Sequence, residues 1–263
     1  MKSRKNKNFE ILAIIPARGG SKSIPKKNIK NLFNKPLLEY SINCAKNSKY
    51  VTRVVVSTDD KKIATIAKKA GAEIPFLRPK KLAKDNSETV DVIKHTIEFL
   101  DSSESYKPDI ITHLQPTTPF RTTSQLDKSI NLLINSRATS ILGVQKIKTH
   151  PYRAFWPSKK YLKPFKKNFL DYHQRQSFPD CYYPTGAIYV YWYDTLKKYG
   201  TIYGPKILPF IDKNSINVDM VVQNISLNGK ETDLTFTIKN EDLNKTKKIT
   251  NSNKNINFFL YFV

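Results

Sequence analysis

The sequence predicts an α/β protein built on a doubly wound, mostly parallel sheet with a small inserted subdomain. Three observations carry this. Short apolar runs alternate with helical patterns from Ile11 to about Ile211. A loop with two adjacent glycines and several cations follows the first run directly. A stretch rich in aromatics and prolines, about 150–184, interrupts the alternation before it resumes.

The elements follow in order. ILAIIP reads as the first strand, RVVVSTD (Arg53 to Asp59) as the second, EIPFL (Glu73 to Leu77) as a third and DIITHLQ (Asp109 to Gln115) as a fourth. Between them, PLLEYSINCAKNSK, DKKIATIAKKAG and ETVDVIKHTIEFLD place apolar residues three and four apart, as crossover helices do. GAIYVYW resumes a strand after the insert. Ligands of such sheets bind beyond the carboxyl ends of the strands, so the loops after Pro16, Ser57, Leu77 and Leu114 should converge on one site. The insert's aromatics, among them Tyr152, Phe155, Trp156, Phe165 and Phe169, call for burial against a lid contact or a second subunit.

At 263 residues, one main domain with a small appendage is expected. No apolar run reaches the roughly 18 residues a membrane span needs. MKSRKNKNFE leads straight into a strand with no apolar leader, so the reading is a cytoplasmic protein with no membrane partner. Cys44 and Cys181 lack metal-ligand spacing and read as free thiols. The net charge of +23 attracts polyanions of any kind, but lysine is spread over almost every segment and no nucleic-acid reader is recognisable. No specific nucleic-acid partner is expected.

The most informative segment is IPARGGSKSIPKKN, Ile15 to Asn28. Glycines let backbone approach an anion closely, and Arg18 and Lys22 add charge suited to a triphosphate. Ser21 stands between Gly20 and Lys22, so this is not a Walker A loop, nor is it the dinucleotide fingerprint. A basic surface turn is the alternative.

Five pieces in order, IPARGGSKSIPKKNIK, VVVSTDD, RPKKLAKDNSETVDVIKH, LQPTTPFR and QRQSFPDCYYPTGAIYV, resemble the acylneuraminate cytidylyltransferases, that is, the CMP-sialic acid synthetases and their relatives for legionaminic and pseudaminic acids. The resemblance implies a Rossmann-like nucleotidyltransferase fold over residues 10–212, after a basic extension at 1–9. It implies transfer of CMP from CTP to an acidic nine-carbon sugar, magnesium as cofactor, and a homodimer joined through the insert.

It also implies roles. Arg18, Gly19, Gly20, Ser21, Lys22 and Asn28 would hold the triphosphate, with Arg18 and Lys22 offsetting charge on the leaving pyrophosphate. Arg78 and Thr89 would approach the cytidine, although Arg78 also reads as a plain surface arginine. Asp85 and Asp91 share that motif and read equally well as caps of the helix beginning near Ser87. Gln115, Arg153, Arg175, Gln176, Thr185 and Tyr189 match the sugar pocket, where an arginine fork suits a carboxylate. Tyr189 reads equally as a core residue of its strand. His95 is expected to be structural, and His150 and His173 lie in the insert.

Two positions depart from the family's pattern. Thr185 replaces an asparagine before Gly186, which leaves the particular sugar open. INVDM puts Asn217 and Asp219 where the family has a carboxylate pair for magnesium, leaving Asp219 as the metal ligand. Residues 213–263 form an atypical tail, of which about 215–249 resemble half of an ACT domain of aspartate kinases. A cytidylyltransferase for another acidic sugar, or a nucleotide-binding remnant without turnover, are the competing readings.

Overall fold

The computed structural model describes residues 8–20, 26–147, 150–165, 178–211, 220–225 and 232–237. Its centre is a six-stranded sheet in the order β10-β6-β9-β5-β1-β4. The strands are β1 (Ile11–Pro16), β4 (Arg53–Ser57), β5 (Ile110–His113), β6 (Ser140–Lys146), β9 (Tyr182–Trp192) and β10 (Ile207–Ile211). β1 runs parallel to β4 and β5, and β10 parallel to β6. β9 is antiparallel to both β5 and β6, which makes the sheet mostly rather than wholly parallel.

β1 is continuously apolar because both of its faces are covered. On one face Ile11, Ala13 and Ile15 pack with α1 (Leu37–Lys46), α2 (Lys61–Lys69) and α4 (Thr123–Ile134) through Leu38, Ile63 and Leu126. On the other, Leu12 and Ile14 meet α3 (Thr89–Glu104) and α5 (Tyr193–Tyr199) through Ile93, Ile97 and Leu196. The alternation that read as doubly wound thus has helices on both sides.

Local chemistry sets the helix starts. The Asp60 carboxylate accepts from the backbone N–H of Lys62 and Ile63 to cap α2. Thr122 and Gln125 form a capping box on α4. α3 begins at Thr89 after Glu88, with no side-chain cap, so neither Asp85 nor Asp91 caps it.

The expected third strand, Glu73 to Leu77, is not a strand. Glu73 makes a single bridge to Val55, and Pro75, which has no N–H, cannot extend a ladder. The chain instead continues to Arg78, whose N–H donates to Thr58 O at 2.7 Å. β6, β10 and α4 were not among the elements assigned from the sequence. A two-residue pair, β2 (Asn31–Leu32) with β3 (Lys35–Pro36), leads into α1.

In the insert, β7 (Phe155–Ser158) and β8 (Tyr161–Pro164) form a hairpin. Phe155, Trp156, Tyr161, Leu162 and Phe165 on or beside it are all exposed. Phe169 lies outside the described residues. β11 (Met220–Ile225) and β12 (Thr232–Thr237) pair antiparallel in the tail. Among the described residues no helix is long and apolar enough to cross a membrane.

Candidate active site

Beyond the carboxyl ends of β1, β4 and β5 lies an open cleft of about 620 Å³. It is lined by the loop after β1 (Arg18, Lys27, Asn28), the loop before α3 (Arg78, Lys84, Asp85), Thr89 and Val92 on α3, and Gln115 after β5. Of the side chains assigned to nucleotide and sugar, Arg18, Asn28, Arg78, Thr89 and Gln115 therefore share one cavity. Four cations face one carboxylate there, a balance suited to a polyanion.

The loop after β1 is held from below. Gly19 N–H donates to Asp59 Oδ1 at 2.9 Å, and Asn28 Nδ2 donates to Arg18 O at 2.9 Å. A Cβ on Gly19 would come within 2.8 Å of Asp60 Cβ, so the loop can lie on the start of α2 only because this residue is glycine. No such contact confronts Gly20. Arg18 Nη1 pairs with Asp85 Oδ1 at 2.6 Å, both side chains partly open to solvent. An exposed pair of this kind is worth about 1 kcal/mol or less, so an incoming phosphate can displace Asp85 at little cost. The cap reading of Asp85 gives way to this role as counter-ion.

Arg78 is not a surface arginine: it is 6% exposed. Its Nε donates to Ser57 Oγ at 3.1 Å and its Nη2 to Ser57 O, which anchors it to the end of β4. Burial pushes its pKa down to about 10, with Arg18 adding to the shift and Asp59 opposing it. It remains a cation at neutral pH.

Gln115 reaches the cleft across Gly186, whose absent Cβ would sit 3.2 Å from Gln115 Oε1 and whose φ is +76°. A side chain at that position would be strained and would crowd Gln115. Thr185, one residue earlier, is buried and turned away. Its hydroxyl donates to Gly143 O at 3.2 Å and accepts from Ala187 N–H at 3.3 Å, so it does not line the cleft. Tyr189 is also absent from the lining. It is half-buried on β9 and stacks on His113 at 4.1 Å, as the core reading expected. Arg153 lies exposed in the insert with its guanidinium over the Phe178 ring and is not among the residues lining the cleft. Ser21, Lys22, Arg175, Gln176 and Asp219 fall outside the described residues.

The described histidines are committed elsewhere. His113 is buried and its pKa is pushed to about 3, first by desolvation and then by Arg121. Burial likewise lowers His95, which packs edge-on against Phe76. His150 Nδ1 accepts from Tyr152 N–H at 3.2 Å and its Nε2 lies 3.0 Å from Pro179 O, which leaves the proton on Nε2. His173 lies outside the described residues. None of the three described is placed to act as a general base in the cleft.

As for magnesium, no group of three or more His, Cys, Asp or Glu that could hold a metal occurs among the described residues. Asp85, the carboxylate of the cleft, is engaged by Arg18. The described side chains do not by themselves fit the ion.

Lys27, Lys84 and Asp59 belong to this site but were not singled out from the sequence. Lysines of this chain are so frequent that two more attract no notice, and the part of Asp59 is to hold a backbone N–H.

Residues 12–183 match the family described as Cytidylyltransferase. The post-translational flagellin modification protein B of Campylobacter coli is 32% identical over 215 residues, 80% of this chain and 89% of that one. The pseudaminic acid cytidylyltransferase of Campylobacter jejuni (serotype O:2) is 34% identical over 183 residues, 68% of this chain and 76% of that one. Among solved structures, a CMP:2-keto-3-deoxy-manno-octonic acid synthetase complexed with CTP superposes with a TM-score of 0.58 at 15% identity, covering 92% of this chain and 99% of that one, which shows a common fold. A family match over most of the sheet, relatives at a third identity across two thirds or more of the chain, and a cation-lined cleft at the strand ends agree: the chain belongs to the cytidylyltransferase family and is a nucleotidyltransferase enzyme.

Proposed function

We propose that the protein transfers CMP from CTP to the anomeric hydroxyl of a nonulosonic acid of the sialic, legionaminic or pseudaminic type, releasing pyrophosphate. The observation that carries this is the single cleft joining Arg18, Asn28, Arg78 and Thr89 to Gln115. Relatives named for such acids support the sugar class, among them the N-acylneuraminate cytidylyltransferase of Escherichia coli, 33% identical over 69% of this chain and 42% of that one.

In this reading the sugar hydroxyl attacks the α-phosphorus, the bond to pyrophosphate breaks in line, and the hydroxyl proton passes to the triphosphate or to solvent. No covalent intermediate with the protein is required. Arg18, with Lys22, takes the charge growing on the pyrophosphate, and Asn28 holds the Arg18 carbonyl and so the shape of the loop. Arg78 and Thr89 place the cytidine, and Gln115 the sugar. Arg175, Gln176 and Arg153 complete the acid's pocket, Arg153 from a neighbouring subunit's insert in the homodimer that this reading includes. Thr185 acts from beneath, by fixing the backbone that precedes Gly186.

Magnesium belongs to the proposal through Asp219 and the triphosphate. Residues 10–212 form the catalytic domain with its insert at about 150–184, in a protein of the cytoplasm. The likeness of about 215–249 to half an ACT domain suggests a tail of separate origin, with β11 and β12 as its strands.

Pyrophosphate release should be assayed with CTP, magnesium and a panel of N-acylneuraminic, legionaminic, pseudaminic and eight-carbon 3-deoxy acids. Release with one or more of the nine-carbon acids supports the reading. Release with the eight-carbon acid alone moves the protein to another acidic sugar. CTP binding without release from any sugar identifies a remnant, which Asn217 in place of a carboxylate would explain.

A further inference from the structure

Arg121 closes the LQPTTPFR segment and was assigned no part in the site. It is 6% exposed, and among the described residues it has no carboxylate ion-pair partner. Burying a cation costs several kcal/mol unless its donors are all met. Most are met here: a guanidinium carries five N–H donors, and this one makes four hydrogen bonds. Nε donates to Ala187 O, Nη1 to Ser41 Oγ at 3.3 Å, and Nη2 to Gln115 O at 3.1 Å and Thr118 Oγ1 at 2.8 Å.

The acceptors are not scattered. Gln115 and Thr118 belong to the turn after β5, Ala187 to β9, and Ser41 to α1. The Thr118 hydroxyl lies within reach of both Gln115 O, at 3.0 Å, and Gly186 O, at 3.2 Å, and Ser41 Oγ donates to Gln115 O at 3.3 Å. One buried cation thus gathers the carbonyl of Gln115 and the strand on which its side chain rests. A helix-to-sheet contact that needed only stability would be served as well by an apolar side chain of the same volume.

We propose that Arg121 is a positioning residue for the acceptor half of the site, clamping the Gln115–Thr118 turn onto β9 at Gly186–Ala187 and onto α1 so that the Gln115 side chain is set against the sugar. This rests on the assignment of Gln115 to the acidic sugar made above. A lysine could not replace Arg121, because three donors on a flexible stem cannot satisfy four acceptors held apart on three segments.

The test uses the full chain and the variants Arg121→Lys, Thr118→Val and Gln115→Ala, with CTP and sugar varied separately. Arg121→Lys and Thr118→Val should each lower kcat/KM for the sugar, Arg121→Lys by on the order of 100-fold, as a displacement near 1 Å does. KM for CTP should stay within about twofold, because ground-state binding of the nucleotide is not touched. In the Gln115→Ala background, Arg121→Lys should add less than about twofold, since residues that act through one another are not additive. A parallel rise of both KM values, or fully additive losses, would overturn the proposal in favour of a general structural role, which melting temperature alone would report.

If Arg121→Lys does not fold, Thr118→Val carries the test, as it exchanges a hydroxyl for a methyl of the same shape. Should the wild-type chain release no pyrophosphate with any acid, the functional reading has failed and not the clamp. A crystal structure of Thr118→Val then decides: Gln115 displaced from Gly186 supports the clamp, and an unmoved turn overturns it.

Discussion

Arg78 and His113 illustrate two uses of burial at the scale of one residue. Arg78 is a cation withdrawn from water against Ser57, so its charge is little screened and strongly felt in the cleft. Arg78→Ala should weaken CTP binding by about 2 kcal/mol, the worth of a charge-assisted hydrogen bond and roughly a 30-fold rise in Kd. Titration calorimetry with CTP would measure it, and an unchanged Kd would remove Arg78 from the nucleotide site.

His113 is held neutral. Its folded pKa of about 3 lies below the usual 6.5, so the unfolded chain binds the extra proton between these values. Its contribution is therefore full above pH 6.5 and is lost as pH falls toward 3, at up to about 1.4 kcal/mol per pH unit. His113→Phe, which keeps the stack on Tyr189, should flatten this limb when urea unfolding is compared at pH 7 and pH 5. Equal pH dependence in both proteins would show that His113 is hydrated.

At the scale of elements, the cleft depends on where helices start and where a strand fails to form. The Asp60 cap fixes the first turn of α2, on which Gly19 rests. Asp60→Ala should cost about 1 kcal/mol in chemical denaturation. A similar loss of turnover, beyond the loss of stability, would trace the shape of the loop after β1 to this cap, and intact turnover would show the loop to be held by Asp59 alone. The absence of a third strand matters as much. Pro75 releases the chain from β4, and the loop that results delivers Arg78 and Lys84 to the cleft. Legibility here divided by range. Asp60 before KKIATIAKK is a local cue, visible as a helix start, whereas EIPFL has the composition of a strand, and only its neighbours decide that it bridges once and leaves.

For the whole molecule, the hairpin of the insert is the element whose large apolar side chains stay exposed. Trp156 is 57% exposed on one face of the hairpin and Leu162 68% on the other, so large apolar side chains stay open on both. In the homodimer proposed above, sedimentation velocity at micromolar concentration should show a dimer. The double substitution Trp156→Glu, Leu162→Glu should shift it to monomer and lower turnover with the sugar. A wild-type monomer with full activity would count against the subunit exchange. The net charge of +23 belongs to this scale too, as a field that favours the approach of CTP and should weaken with salt.

The sequence by itself determined the doubly wound sheet, because periodicity is a local property that survives translation into any fold of this class, and the order of its motifs, through their resemblance to a family, grouped Arg18, Asn28, Arg78, Thr89 and Gln115, which the structure places in one cleft. Only the tertiary structure decided which way Thr185 and Tyr189 face, that Asp85 answers Arg18, and that Arg121 binds three elements together. These are facts about partners as many as 80 residues apart, as between Arg121 and Ser41. Spacing along a chain does not say which buried donor will meet which carbonyl. That choice is made when the sheet and its helices close and every polar group left inside must find a mate.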